Sequence, residues 1–273
     1  MLSVACSGEL SPGATVAQAA TETRDAGSAR VAYIAQFDAV SAQRPIPLTG
    51  EGVFDYANGR GRMTFDMSAL LEGSAGAPAG SGDVEMIVDD SVVYMKMPFL
   101  TPMLPEPRPW IKVDLEAAPA AGRADLTQFT QLGQGDPTPV LELLRGVTRS
   151  VKDLGDEDVR GAGTTHYETV LDLSKVVDEV PDSVRSLVQS LIARAGTTDV
   201  RADVWIDAAG RMRKMSYEVD VTSADAEPAP SRPDTMEVTM ELYEFGVPVD
   251  VSPPSDDQVV DLLELSQGRQ GPS

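Results

Sequence analysis

One cysteine, Cys6, and one histidine, His166, are all that this 273-residue chain has of the two residue types that most often hold transition metals. An intrachain disulfide is thereby excluded, and so is a Cys/His metal cluster. A carboxylate calcium site is not excluded by composition, yet no run resembles an EF-hand loop. Aromatic residues are scarce, at 5%, and no stretch reaches the roughly 18 apolar residues of a membrane-spanning helix. Basic residues are short as well: 22 Lys and Arg face 43 Asp and Glu, for a net charge of −21. Such a surface repels phosphate backbones, so no nucleic-acid partner is expected. It also argues against electrostatic docking on anionic lipid, though not against a covalent lipid anchor.

Signs of catalysis are equally thin. There is no Gly-x-Ser-x-Gly elbow, and a Cys–His pair would have to join Cys6, near the N-terminus, to His166 in a predicted strand. His166 reads as a surface or hydrogen-bonded strand histidine before it reads as a general base. Asp89-Asp90 and Asp156-Glu157-Asp158 read as turns in a chain this acidic. Gly59-Arg60-Gly61-Arg62 is followed by neither a lysine nor a helix start, so it is no phosphate loop. The expectation is a non-enzyme with no catalytic residues, no metal and no cofactor.

What the chain has in quantity is two-residue alternation. From Gly50 to Met67 it reads as two strands around Asn58-Gly59, a pair suited to a tight primed turn. Met63, Phe65 and Met67 fall on one side, and Arg62, Thr64 and Asp66 on the other. A second hairpin alternates Val84, Met86 and Val88, turns at Asp89-Asp90, and continues with Val93, Met95 and Met97. A third runs from Asp199 to Ile206 and from Arg211 to Val221, with Met215, Tyr217, Val219 and Val221 on one side. A last long strand places Met236, Val238, Met240 and Leu242 opposite Glu237, Thr239 and Glu241. Further strands are predicted over Ser28–Phe37, Trp110–Leu115 and Thr164–Leu173, whereas Val151–Glu157 and Val159 are expected to flank a turn.

Helices are fewer. Ala14–Asp25 reads as a short, weakly apolar helix stopped at Gly27. Asp136-Pro137 opens another that Gly146 ends. In Pro181–Ala195, Val184, Leu187, Val188, Leu191 and Ile192 recur at three- and four-residue steps. Ser255 with Gln258 suggests a capping box and a closing helix. The prolines and small residues of Ser41–Thr49, Ser68–Gly82, Phe99–Pro109 and Ala224–Asp234 mark loops. About nine or ten strands, mostly joined as hairpins with one apolar face, imply an α+β fold on a single curved antiparallel sheet.

The dry side of these strands is built on methionine and not on the valine and isoleucine of a stiff sheet. Methionine is unbranched and polarizable, and it lines surfaces that adapt to a ligand's shape. Met63, Phe65, Met67, Met86, Met95, Met97, Met215, Tyr217, Met236 and Met240 are therefore candidates to line an apolar ligand cavity. The plain alternative is a filled core between sheet and helices.

At the N-terminus, Ser3-Val4-Ala5-Cys6-Ser7-Gly8 resembles the end of a bacterial lipoprotein signal peptide, with Cys6 as the lipidated residue. Ser3 stands three before the cysteine, where leucine is usual, and the preceding basic and apolar regions are absent. The other reading is a free cysteine on a loose terminus. On the first reading residues 1–13 form a tether, 14–265 a single domain and 266–273 a flexible tail.

The order of several segments resembles the LolA-like lipoproteins of actinobacteria, the LprG/LppX group. These are Gly50-Glu-Gly-Val-Phe-Asp-Tyr with Gly61-Arg-Met-Thr-Phe-Asp-Met, Ser91-Val-Val-Tyr-Met-Lys-Met-Pro, Trp110-Ile-Lys-Val-Asp-Leu, Thr165-His-Tyr-Glu-Thr-Val-Leu-Asp-Leu, Val204-Trp-Ile-Asp with Gly210-Arg-Met-Arg-Lys-Met, and Tyr243-Glu-Phe-Gly-Val-Pro-Val-Asp-Val. Together they span about Ser28 to Val260. The resemblance implies a strongly bent half-barrel closed by helices around an acyl-chain cavity. It also implies a lipid anchor on Cys6 that holds the protein on the outer face of the cell membrane. A lipid or lipidic molecule is the expected partner, as carrier or receptor function would require. The alternative is a structural or sensory envelope lipoprotein with a filled core that binds another envelope protein.

Overall fold

A computed structural model describes residues 11–38, 44–71, 82–104, 108–114, 148–177, 196–220 and 234–261, with isolated positions between 185 and 193. Among them lie twelve strands: β1 (Ser28–Asp38), β2 (Ile46–Asp55), β3 (Arg60–Asp66), β4 (Asp83–Asp89), β5 (Val92–Lys96), β6 (Trp110–Asp114), β7 (Thr148–Val159), β8 (Ala162–Asp172), β9 (Asp199–Asp207), β10 (Met212–Asp220), β11 (Thr235–Tyr243) and β12 (Val259–Asp261). They build one curved sheet in the order β12-β6-β5-β4-β3-β2-β1-β11-β10-β9-β8-β7. Every pairing is antiparallel except that of β12 with β6. The order does not return on itself, so the sheet is open, with β7 and β12 at its edges.

Three α-helices are described over their whole length: α1 (Pro12–Asp25), α2 (Ser68–Leu71) and α3 (Leu173–Val176). Helix α1 begins two residues before its predicted start. The Ser11 side chain caps it by accepting from the Ala14 N–H, and Pro12 occupies the first turn, where no donor is needed. It packs against β7, β9 and β10 through Val16, Ala19 and Ala20, all fully buried. Buried Thr23 accepts the Met212 N–H at 2.8 Å, which ties the helix to the start of β10.

The predicted hairpins form, with corrected details. The loop between β2 and β3 has four residues, Tyr56–Gly59, and is not a two-residue primed turn. The Asp55 carboxylate accepts from Ala57 N, Asn58 N and Asn58 Nδ2, and only Gly59 takes a positive φ, +60°. Strand β2 starts at Ile46, inside the expected proline loop. Pro47 is tolerated because β3 pairs with β2 only from Thr49 onward.

Two predictions fail on physical grounds. Val151–Glu157 does not flank a turn: it is the middle of β7, and the chain reverses at Arg160-Gly161. Two register shifts, one next to Gly155 at φ +98°, break its alternation and hide the strand. Ser255 makes no side-chain cap, and Asp256–Gln258 is a single 3-10 turn. The β-branched Val259 and Val260 then pair with Trp110 and Ile111 in place of continuing a helix. The helices predicted over 136–146 and, for the most part, 181–195 lie outside the described residues.

Candidate functional site

Register assigns each strand residue to one of two faces, because residues paired across an antiparallel ladder share a side. One rung runs Leu242–Val31–Gly52–Met63–Met86–Met95–Ile111–Val260. The next runs Tyr167–Val204–Met215–Met240–Tyr33–Gly50–Phe65–Val84, and another Thr169–Ala202–Tyr217–Val238–Ala35–Leu48. This is the core face. All ten candidate residues belong to it or to its buried cluster: Met63, Phe65, Met67, Met86, Met95, Met97, Met215, Tyr217, Met236 and Met240. Nine of them are sealed, none above 8% exposed; Tyr217 alone keeps accessible surface.

Accessible surface on this face gathers at one end. Tyr33 and Phe37 of β1, Ile46 of β2 and Tyr217 of β10 are all half-buried, whereas their neighbours Ala35, Leu48, Met236, Val238 and Met240 are buried. Phe37 faces Ile46 across one ladder and Met236 across the other, so the patch continues to the ends of these strands. Burial pushes the Tyr217 phenol up to about 12. Burial pushes Tyr33 up further, and charge on Tyr217 would add to it. Both rings are thus crowded by surrounding protein and still keep accessible surface. Tyr33, Phe37 and Ile46 escaped the candidate set because β1 carries small or apolar residues on both faces, and because β2 was expected to start later.

Glycines shape the floor beside this patch. The Phe65 ring lies over Gly50, where an added Cβ would stand 2.5 Å from Phe65 Cδ1. The Met63 Sδ lies over Gly52 and the Phe54 ring over Gly61, at 2.4 and 2.2 Å from such a Cβ. Large side chains therefore lie flat across the neighbouring strand and do not stand up from the sheet. Phe65 reaches the Tyr33 ring edge-on in this way, with centroids 5.9 Å apart. Space above the sheet is left to whatever covers it.

The opposite face is polar. One of its rungs reads His166–Trp205–Lys214–Glu241–Ala32–Glu51–Thr64–Glu85–Lys96–Trp110. His166 stacks on Trp205 at 4.1 Å. Its Nε2 lies 2.7 Å from Asp203 Oδ1 and its Nδ1 3.2 Å from Glu157 Oε2, while the Trp205 indole donates to that same Glu157 oxygen at 2.8 Å. Both ring nitrogens are thus engaged, as a hydrogen-bonded strand histidine requires. Lys214 sits 4.2 Å above the Trp205 ring, and Lys96 pairs with Glu85 at 2.7 Å. Among the described residues, no cluster of three or more His, Cys, Asp or Glu is arranged to hold a metal, and no helix is long and apolar enough to cross a membrane. Cys6 lies outside the described residues.

No family model matches the chain. An uncharacterized 31.2 kDa protein encoded between rplA and rplJ in Streptomyces griseus is 23% identical over 269 residues, which are 96% of this chain and 83% of that protein. Similar solved structures include the lipoprotein LppX of Mycobacterium tuberculosis, at 14% identity and TM-score 0.49, covering 88% of this chain and 98% of that one. LprF of Mycobacterium bovis follows at 14% identity and TM-score 0.43, over 91% and 100%. A LolA-superfamily protein of Nitrosomonas europaea has 12% identity and TM-score 0.33, over 87% and 96%. The neighbours are of the kind that the sequence resemblance implied. At TM-scores below 0.5, the fold rests on the sheet described above.

Proposed function

We propose that this chain is an envelope lipoprotein that binds the hydrocarbon part of a lipid, glycolipid or other apolar molecule against the core face of its sheet, as carrier or receptor. The observation that carries the reading is the half-buried patch of Tyr33, Phe37, Ile46 and Tyr217 beside the sealed methionines of the same face. Each methylene taken from water onto such a surface contributes roughly 0.8 kcal/mol, so a single acyl chain suffices for micromolar binding. The sealed methionines beside the patch are pliable side chains that can shift to admit a longer chain. Cys6 would carry the lipid that holds the protein on the outer face of the cell membrane, with residues 1–13 as tether. The segment-by-segment resemblance to LolA-like lipoproteins runs the same way.

Native mass spectrometry after mild purification tests the binding. A co-purifying lipid, or uptake of a fluorescent fatty acid, is the expected result. Phe37→Asp, at a half-buried position near the end of β1, should abolish that uptake while the circular dichroism spectrum stays native. Absence of both lipid and uptake in the wild type would favour the other reading, which the nine sealed residues support: a filled core in an envelope lipoprotein that binds another protein. The Cys6→Ser variant should leave the membrane fraction for the soluble one; unchanged membrane association would overturn the anchor.

A further inference from the structure

The accessible patch is not purely apolar. Tyr33 and Tyr217 are half-buried on the core face, and neither hydroxyl is sealed from solvent or hydrogen-bonded to a described residue. Tyr33 stands opposite Met240 and Tyr217 opposite Val238, so the two are two strands apart and two residues out of step. That places their Cα atoms roughly 12 Å apart, close enough for two tyrosine side chains to converge on one group. The charge that Tyr217 would acquire on ionising is felt at Tyr33, so the two oxygens are within electrostatic reach of each other. Small residues, Ala35 and Ala202, lie on the rung of Tyr217, while the Phe65 ring fills the space over Gly50 beside Tyr33. Beyond Ala202 on that rung, the Thr169 hydroxyl is fully buried and also without a partner.

A ligand that covers these two hydroxyls takes them out of water, which is costly unless the ligand itself accepts their protons. Neither phenol ionises near neutral pH, so each keeps an O–H to donate. A bare hydrocarbon offers no acceptor. An acyl chain offers one where it ends, in a carboxyl or ester carbonyl.

We infer that Tyr33 and Tyr217 are the specificity-determining pair of this patch: they donate hydrogen bonds to the carbonyl oxygen of an acyl-chain ligand, whose chain lies on Phe37, Ile46 and the adjoining methionines. This rests on the lipid-binding reading and adds which groups hold the ligand's carbonyl and where along the sheet it lies.

Two fluorescent probes of similar bulk separate the claims: cis-parinaric acid, which has a carboxyl, and diphenylhexatriene, which has no acceptor. Both are titrated into the delipidated full chain and into Tyr33→Phe, Tyr217→Phe and the double variant. The wild type binds both probes. Each single substitution weakens cis-parinaric acid about fivefold and the double variant about 25-fold, as expected for one neutral hydrogen bond apiece, while diphenylhexatriene is unaffected. Equal loss of both probes, or no loss of either, overturns the hydrogen-bonding pair and leaves the lipid-binding reading standing. Failure of the wild type to bind either probe overturns both.

Discussion

Two stretches of the same core face are built differently. Along the rung from Leu242 to Val260, methionines and branched aliphatics are sealed at 5% exposure or less, and Met63 lies flat over Gly52. One or two rungs away, around Tyr33 and Tyr217, aromatic rings are crowded by protein and yet keep surface. The chemistry is apolar in both, so hydrophobicity does not separate them. What separates them is whether the side chains meet partners that seal them. On the proposed function, the sealed stretch supplies stability and the half-open one the place for a ligand. A protein that holds an apolar guest needs both, since a recess survives only on a floor that does not collapse into it.

The largest test of this contrast is Gly52→Val. A Cβ there would stand 2.0 Å from the Arg62 carbonyl oxygen and 2.9 Å from the Met63 Cα, backbone that cannot step aside. Urea unfolding should show a loss above about 3 kcal/mol, enough to threaten folding altogether. A variant of native stability would mean that the floor is looser than described. Met86→Ala, in the same sealed stretch, should cost about 3 kcal/mol while leaving the affinity of the folded protein for cis-parinaric acid within twofold. A large change in affinity would erase the distinction between the two stretches.

The half-open stretch should announce itself in alkali. A tyrosine has a pKa near 10 in the unfolded chain, and burial raises that of Tyr217 to about 12 in the fold. The folded state then holds the proton longer, so the stabilisation is complete below pH 10 and declines as pH rises from 10 toward 12. Its size is on the order of 2 kcal/mol. Tyr33 adds a loss of the same sign, reaching to higher pH. Tyr217→Phe should flatten the decline seen in chemical denaturation at pH 10 to 12; an unaltered slope would mean that this phenol is well solvated. The smallest effect is expected on the polar face. Lys96→Ala removes a pair with Glu85 in which both side chains are more than a third exposed, and should change stability by less than about 0.5 kcal/mol, diminishing with salt.

Much of the sheet was legible in the sequence, because period two is unambiguous where large apolar residues alternate with charged ones. β3, β4, β5 and β11 are of this kind, and the eight candidate residues that lie in strands share one face. Strand β1 is different: Val31, Tyr33 and Ala35 face one way, Ala32, Ile34 and Gln36 the other, and neither side is clearly the wet one. Only its pairing with β2 and β11 decides that Tyr33 faces the core and that Ile34, 40% exposed, does not. The glycines of the floor were unreadable for a related reason. Gly50 and Gly52 are informative through Phe65 and Met63 across the ladder, which is a matter of register and not of local sequence. In β7 an acidic run with two register shifts hid a strand, and at the C-terminus a plausible cap preceded valines that prefer a sheet.

The central claim is that the guest lies at the half-open end of the core face. Cross-linking with a diazirine-bearing fatty acid, followed by peptide mass spectrometry, tests it directly. Labels on Tyr33, Phe37, Ile46 or Tyr217, competed away by unlabelled fatty acid, are the result predicted. Labels confined to the polar face around Trp205 and Lys214, or none that unlabelled fatty acid displaces, would contradict it.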